Sequence, residues 1–547
     1  MSKGNAKPSR REFLQYGVRS GAGAMALPAL GGARDASVHG VAASTVRSFE
    51  LDEVTVVALQ EGMGSGKFTA RSLVEEYLRR IEEIDQNGPA LNSVIEVNPD
   101  ARAIAEVLDK ERKAKGARGP MHGIPILIKD NIATRDRMST TAGSLALVGS
   151  QPPADSCVAE RLRAGGAVIL GKTNLSEWAN IRSSHSTSGW SARGGLTRNP
   201  YALDRNACGS SSGSGAAVAA NLCAVAVGTE TDGSIVCPSS ANGIVGIKPT
   251  LGLVSRYGIV PIAHSQDTAG PMARTVTDAA ILLGALAGID PRDSATTESR
   301  GKAVRDYTQF LDPKGLRGAR IGVVRKLFGF HDGVERLMNA SMEEMKRQGA
   351  ELIDPVVIDS LGKFDDSEQE VLLYELKADL NAYLAALGPG APVHSLQEII
   401  GFNERNRDKE MPFFGQDLFL KAQAKGPLTD KAYLDALEKN HRLARSEGIA
   451  AVIEANHLDA LIAPTGGPAW LTDLVDGDHD LGGSSSLPAV AGYPNINVPA
   501  GVVFGLPVGI AFFGRAYSEP TLIKLAFAFE QATKLRRPPT FLRSAKV

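Results

Sequence analysis

Two glycine-rich segments carry hydroxyls where a reacting group could be held. Residues 208–215 read Cys-Gly-Ser-Ser-Ser-Gly-Ser-Gly and run directly into the helix-like stretch Ala216–Asn221. Serine hydroxyls and backbone N–H groups thus gather at a helix N-terminus, where partial positive charge favours anions. Residues 228–235, Gly-Thr-Glu-Thr-Asp-Gly-Ser-Ile, follow the apolar run Ala224–Val227 and form a second tight turn. A serine on such a turn, with N–H groups aimed at a reacting oxygen, suits nucleophilic attack on a carbonyl. Lys129 ends a third apolar run, Ile124–Ile128.

Three chemistries compete for these residues. Gly209-Ser210-Ser211-Ser212-Gly213 fits the G-x-S-x-G nucleophile elbow, but that motif needs a strand immediately before it, and Tyr201–Ala207 is polar and irregular. Gly213-Ser214-Gly215 begins a dinucleotide-loop pattern, yet it lacks both the third glycine and the preceding strand. The remaining arrangement joins both serine segments to Lys129: a neutral lysine takes the proton of a nucleophilic hydroxyl through a bridging serine. Taken singly, Lys129 reads as a surface lysine at a strand end, Ser210 as a turn or capping serine, and Ser234 as a turn hydroxyl.

The elements that must position these residues alternate in type. From Thr69, a plausible N-cap, the spacing of Leu73, Val74, Tyr77, Ile81 and Ile84 predicts a helix, with Glu75 and Arg79 as an i,i+4 pair. A second helix is predicted over Asp100–Lys115. Strands are predicted at Ile124–Ile128, Ala167–Gly171 and Ala224–Gly228, then again at Ala460–Ala463 and Val508–Phe512. Between about 330 and 450 the chain reads as helical; Leu373, Leu376, Leu380, Tyr383 and Leu387 form one stripe, stopped by Gly388-Pro389. This alternation predicts an α/β class, with the helical stretch forming a side lobe.

The run from Gly209 to Pro271, with GSSSGSGAAVA, GTETDGSI, NGIVGIKPT and SQDTAGPM, resembles the amidase signature family, and PILIKDNI supplies the family's lysine segment. The stretches GKTNLSEWAN, SGWSARGGLTRNP and CGSSSGSG are most similar to the bacterial peptide amidases within it. The resemblance implies a mixed β-sheet between helical layers and hydrolysis of an amide, most readily the C-terminal amide of a peptide, to acid and ammonia. It places the nucleophile on Ser234, a bridging serine in a cis peptide on Ser210, and the base on Lys129. It places the oxyanion hole on the main chain of Thr231, Asp232, Gly233 and Ser234. Asp232 stands where many relatives carry glycine, so it either shapes the turn or contacts substrate; Asn180 falls at a substrate-contacting position. Small-amide amidases, aryl acylamidases and the glutamine-hydrolysing component of a transfer-RNA amidotransferase share the motif.

Composition narrows the remaining classes. With 60 Lys+Arg against 61 Asp+Glu, the net charge of −1 gives no footprint for a phosphate backbone, so nucleic acid is not an expected partner. No stretch of about 20 apolar residues lacks both charges and helix breakers, so no membrane span is expected after maturation. Residues 1–20 are basic, with Arg10-Arg11 inside Ser9–Leu14, and a small-residue stretch follows from Gly21 to Ala33. That layout resembles a twin-arginine export signal, implying a periplasmic or secreted protein that begins near residue 34 or 44, followed by one amidase domain over 44–547. Cys157, Cys208, Cys223 and Cys237 lack metal-ligand spacing; an oxidising compartment would allow a disulfide among them, whose pairing the sequence does not give, and the preferred reading is buried thiols, while the nine histidines include no H-E-x-x-H. No metal or cofactor is expected. His122 and His264 read as local hydrogen-bonding residues, and the chain is expected to act as a monomer.

Overall fold

The apolar runs flanking the two serine segments are strands buried along their whole length. In the computed structural model, which describes residues 46–546, β1 (Val94–Val97), β2 (Pro125–Lys129) and β3 (Val168–Thr173) open the sheet. A short hairpin, β4 (Trp190–Ser191) and β5 (Gly195–Leu196), stands apart from it. The centre follows with β6 (Val225–Glu230), β7 (Val245–Lys248) and β8 (Thr268–Ala273). The far half comprises β9 (Arg320–Val323), β10 (Glu351–Ile353), β11 (Ala460–Pro464), β12 (Asn495–Val503) and β13 (Leu506–Phe513). Eleven strands join in the order β1-β3-β2-β6-β8-β7-β12-β13-β11-β9-β10. β2 pairs parallel with β3 and β6, whereas β8 is antiparallel to β6 and β7, so the sheet is mixed. Helices cover both faces, which is why β2, β3 and β6 read as continuous apolar runs rather than as alternation. The α/β fold predicted from the sequence is the observed one. The export segment and its cleavage point lie outside the described residues.

Helix boundaries follow their caps. The Thr69 hydroxyl accepts the N–H of Ser72 and the Ser72 hydroxyl accepts that of Thr69, so the helix Ala70–Arg80 starts on a reciprocal cap, and it buries Leu73, Val74 and Tyr77. One expected pair is different: Arg79 binds Glu76 and Glu83, while Glu75 binds Arg71, because three acids compete within reach of one guanidinium.

The helical lobe is shorter than its sequence suggests. Helix Asp332–Arg347 and β10 belong to the main layer, where Val334, Met338, Met342 and Met345 join the principal core. The lobe proper begins with helix Asp365–Ala386, whose Leu373, Leu376, Leu380 and Leu384 pack with Leu396 and Phe419. Trp178 and Val260, from loops of the sheet layer, close this second core. A fully buried clamp adds to the join: the Arg182 guanidinium binds Glu177 and the Glu410 carbonyl, and lies 4.3 Å from the Phe414 ring centre. The lobe is therefore fastened to the loops that follow β3.

Candidate active site

The last residue of β2 is the lysine expected to act as the base. Lys129 is fully buried, and its Nζ lies 2.7 Å from Ser210 Oγ, 2.9 Å from Thr229 Oγ1 and 3.3 Å from the Thr229 carbonyl. Among the described residues no carboxylate forms an ion pair with it. Loss of water penalises the ammonium and pulls its pKa down to about 7, against the opposing pull of Glu230 and Asp267. An amine of that kind is neutral in a large fraction of molecules near neutrality. Asn131 donates to the same Thr229 hydroxyl, at 3.0 Å, and so fixes the threonine that orients the lysine.

Ser210 is fully buried and follows a cis peptide bond from Gly209. Its carbonyl accepts the Ser176 N–H at 3.1 Å. A Cβ on Gly209 would collide with Ser176 Oγ, so only glycine fits there. No strand precedes Gly209, and the helix begins at Ser212, as expected for a segment that is not a nucleophile elbow.

Ser234 sits on the turn between β6 and helix Val236–Ala241 and keeps 7% of its surface exposed. Two features hold this turn against the Ser210 segment. The Ser211 N–H donates to the Ser234 carbonyl at 3.1 Å, and a disulfide joins Cys208 to Cys237. The Glu230 carboxylate accepts the N–H groups of Ile235 and Val236 at 2.7 and 3.0 Å, completing the helix start. The disulfide corrects the expectation of four buried thiols; only Cys157 and Cys223 are free and buried. Pairing of Cys208 with Cys237 needed the two serine segments to be adjacent, which spacing alone does not reveal.

The expected oxyanion residues form the same turn. Gly233 has φ +79°, a left-handed value that suits glycine, and a Cβ there would sit 3.0 Å from Ser485 Oγ. The N–H groups of Asp232, Gly233 and Ser234 donate to no group among the described residues, which leaves them available to an incoming oxygen. Thr231 donates its hydroxyl to Asp267 at 2.6 Å, fixing the start of the turn. Asp232 is half-buried; its Oδ2 accepts the Ser486 hydroxyl at 2.6 Å, and its Oδ1 has no partner. Burial raises its carboxyl pKa, with the hydroxyls of Ser485 and Ser486 opposing the rise.

Asn180 also comes to this site. It ends a run of three non-glycine residues in the left-handed region, with φ of 49°, 54° and 74° at Trp178, Ala179 and Asn180, a costly backbone maintained by its surroundings. Its Nδ2 donates to Ser188 Oγ at 3.1 Å; Ser188 is packed against Gly209, and Asn180 Oδ1 is left without a partner. A cavity of about 340 Å³ has Asn131, Thr229, Thr231, Val260, His264 and Tyr383 in its wall, and neither Lys129 nor Ser234 lines it. His264 is engaged on both ring nitrogens, Nδ1 with Asp379 at 2.9 Å and Nε2 facing Glu375 at 3.3 Å; with Asp379 and Glu375 it is the one potential metal-ligand grouping among the described residues. His122 is tied to the Leu108 carbonyl at 3.0 Å. Residues that sequence reading passed over are Thr229, Asn131, Glu230 and Asp267. The first three lie inside the quoted strings GTETDGSI and IKDNI, and Asp267 inside SQDTAGPM, so the signal was present without a role attached.

Comparison with known proteins gives the family. The amidase family model matches residues 72–523, and the chain belongs to the amidase family. A probable amidase of Arabidopsis thaliana is 45% identical, over 90% of this chain and 93% of its own. The crystal structure of native peptide amidase from Stenotrophomonas maltophilia superposes with a TM-score of 0.86 at 51% identity, covering 90% of this chain and all of the other. A glutamyl-tRNA(Gln) amidotransferase chain from Halorhodospira halophila is 35% identical over 88% of this chain and 98% of its own. The chain is an amide-hydrolysing enzyme of this fold.

Proposed function

We propose that this amidase removes the C-terminal amide of peptides, with Ser234 as nucleophile, Ser210 as proton bridge and Lys129 as base. The observation that carries the mechanism is the buried, unpaired Lys129 amine bonded to the Ser210 hydroxyl. Neutral Lys129 takes the Ser210 proton as Ser210 takes that of Ser234, and Ser234 Oγ adds to the amide carbon. The carbonyl oxygen, now anionic, is received by the free N–H groups of residues 232–234. Protonated Lys129 returns its proton through Ser210 to the nitrogen, the C–N bond breaks and ammonia leaves. Water then adds to the Ser234 ester by the same relay and releases the acid. Asn180, with its free Oδ1, is a donor-seeking group suited to the amide nitrogen of substrate.

The peptide-amide assignment is supported by the 51–52% identity to peptide amidase over the whole of that protein's length. The test is ammonia release by the purified protein from a short peptide amide, beside a small aliphatic amide, an anilide and glutamine, with Ser234→Ala as control. Release from the peptide amide with internal peptide bonds intact is expected. Turnover of the small amides or anilide alone would keep the mechanism and discard the substrate; a glutaminase profile would favour the amidotransferase reading. We further propose export by the twin-arginine route, from the Ser9–Leu14 motif. N-terminal sequencing of the envelope-fraction protein should begin near residue 34 or 44, and a start at Met1 or Ser2 would refute it.

A further inference from the structure

The two turns that carry the relay serines are joined by a covalent bond close to both in sequence. Cys208 stands two residues before Ser210, and Cys237 three residues after Ser234. The Cys208 N–H donates to Asn206 Oδ1 at 2.7 Å, and the Cys237 N–H donates to the Gly233 carbonyl, inside the oxyanion turn, at 2.8 Å. Besides the disulfide, the one hydrogen bond between residues 208–212 and 231–237, among those described, runs from the Ser211 N–H to the Ser234 carbonyl. The pair packs with Ala241, Ala469 and Trp470, and Asp478 accepts the Trp470 indole N–H at 3.2 Å. Gly209, next along the chain from Cys208, is pressed against Ser176 and Ser188. Non-bonded sulfurs need more room than bonded ones, and a close-packed interior gives little. With these neighbours fixed, opening the bond passes the displacement to the two serine turns. Asn242 Nδ2 donates to the Ala207 carbonyl at 2.9 Å, so the turns stay tethered at one end when the bond opens. Cys237 is only half-buried, which opens the pair to a thiol reductant.

Resting on the relay proposed above, we propose that Cys208 and Cys237 are a positioning pair whose oxidation state switches the enzyme: the disulfide holds Ser210 and Ser234 in register for proton transfer, and the dithiol form leaves them apart. Reduction by a dithiol runs through a mixed disulfide. The protein S–S bond breaks, a new S–S bond closes within the reductant, and two electrons and two protons pass to the cysteines. Disulfides persist in oxidising compartments and are lost among abundant thiols, so the same chain is active in the first setting and slack in the second.

The test compares the oxidised protein, the protein reduced by dithiothreitol, and the double variant Cys208→Ala/Cys237→Ala. Each is assayed by steady-state kinetics on whichever of the amides named above is hydrolysed fastest, and alkylation with mass spectrometry reports the state of the pair. Reduction should lower kcat by about tenfold to a hundredfold with KM within about twofold, because a misplacement of about 1 Å costs about that much at a reacting centre. Reoxidation should restore the rate, and the double variant, which cannot form the bond, should not respond to the reductant. An unchanged kcat on reduction, or a double variant that still responds to dithiothreitol, would overturn the inference. Loss of the far-UV circular dichroism signal on reduction at the assay temperature would overturn it too, making the disulfide a staple of the fold rather than a positioning pair. Should none of the amides be hydrolysed, the proposed function fails. Hydrogen exchange at the Ser211 N–H then still decides the switch: faster exchange in the reduced protein supports separation of the turns, and equal exchange refutes it.

Discussion

A lysine that serves as a base imposes its own titration on the rate, and the burial of Lys129 sets where that titration falls. Its pKa is pulled to about 7 by loss of water, and only the neutral amine can accept the proton of Ser210. The rate must therefore rise with pH, not fall. With that value the neutral fraction is about 0.09 at about pH 6, about 0.5 at about pH 7 and about 0.9 at about pH 8. Thus kcat/KM should climb about tenfold over that interval and then level off. A lysine near its ordinary value of 10.5 would give about a hundredfold rise over the same interval and no plateau until above about pH 10. Removing the Asp267 charge, which favours the ammonium, should move the limb of the Asp267→Asn variant to lower pH. The assay is ammonia release from a peptide amide at substrate well below KM, between about pH 5.5 and about pH 10. A rise of tenfold per unit continuing beyond about pH 9 would refute the assignment of Lys129 as a desolvated base.

Other outcomes follow from the same geometry. Ser210→Ala removes the relay and leaves the lysine bonded to Thr229 alone, so kcat should fall by about 10²–10⁴-fold with KM little changed, measured by steady-state kinetics. Gly233→Ala forces a Cβ into the left-handed region and toward Ser485, costing about 1–2 kcal/mol in folding and disturbing the turn; thermal unfolding should show a lower Tm together with reduced kcat. Alkylation of the denatured, unreduced protein followed by mass spectrometry should modify Cys157 and Cys223 only, with Cys208 and Cys237 joining them after reduction.

Much of the architecture was legible in the sequence because its signals are local. Thr69 caps its helix, Gly388 ends the lobe helix at φ +82°, and the apolar runs around 126, 169 and 226 are strands because they are buried on both faces. β8 was not legible: Thr-Ala-Gly-Pro-Met-Ala carries no β-branched or aromatic pattern, and it forms a strand because Gly270 lets the backbone pass against the Ile247 carbonyl. The stretch at 332–353 read as part of the lobe since its helix is amphipathic, yet that apolar stripe faces the sheet. Periodicity tells which face is buried but not against what.

For the site, the sequence by itself determined the residue types: a lysine ending an apolar strand, two serine-rich turns, and the strings that tie them to the amidase family. Tertiary structure decided their chemical state. Lys129 is a base candidate because β2, β6 and the Ser210 segment bury it without a counter-ion, and desolvation is a property of everything packed around a group. Cys208 and Cys237 pair because two turns meet, and Glu368 faces Gln266 across 102 residues of chain because the lobe docks on the sheet. Caps and periodicities are written within a few residues, whereas electrostatic environment and partnership depend on which distant segments share the same few ångströms.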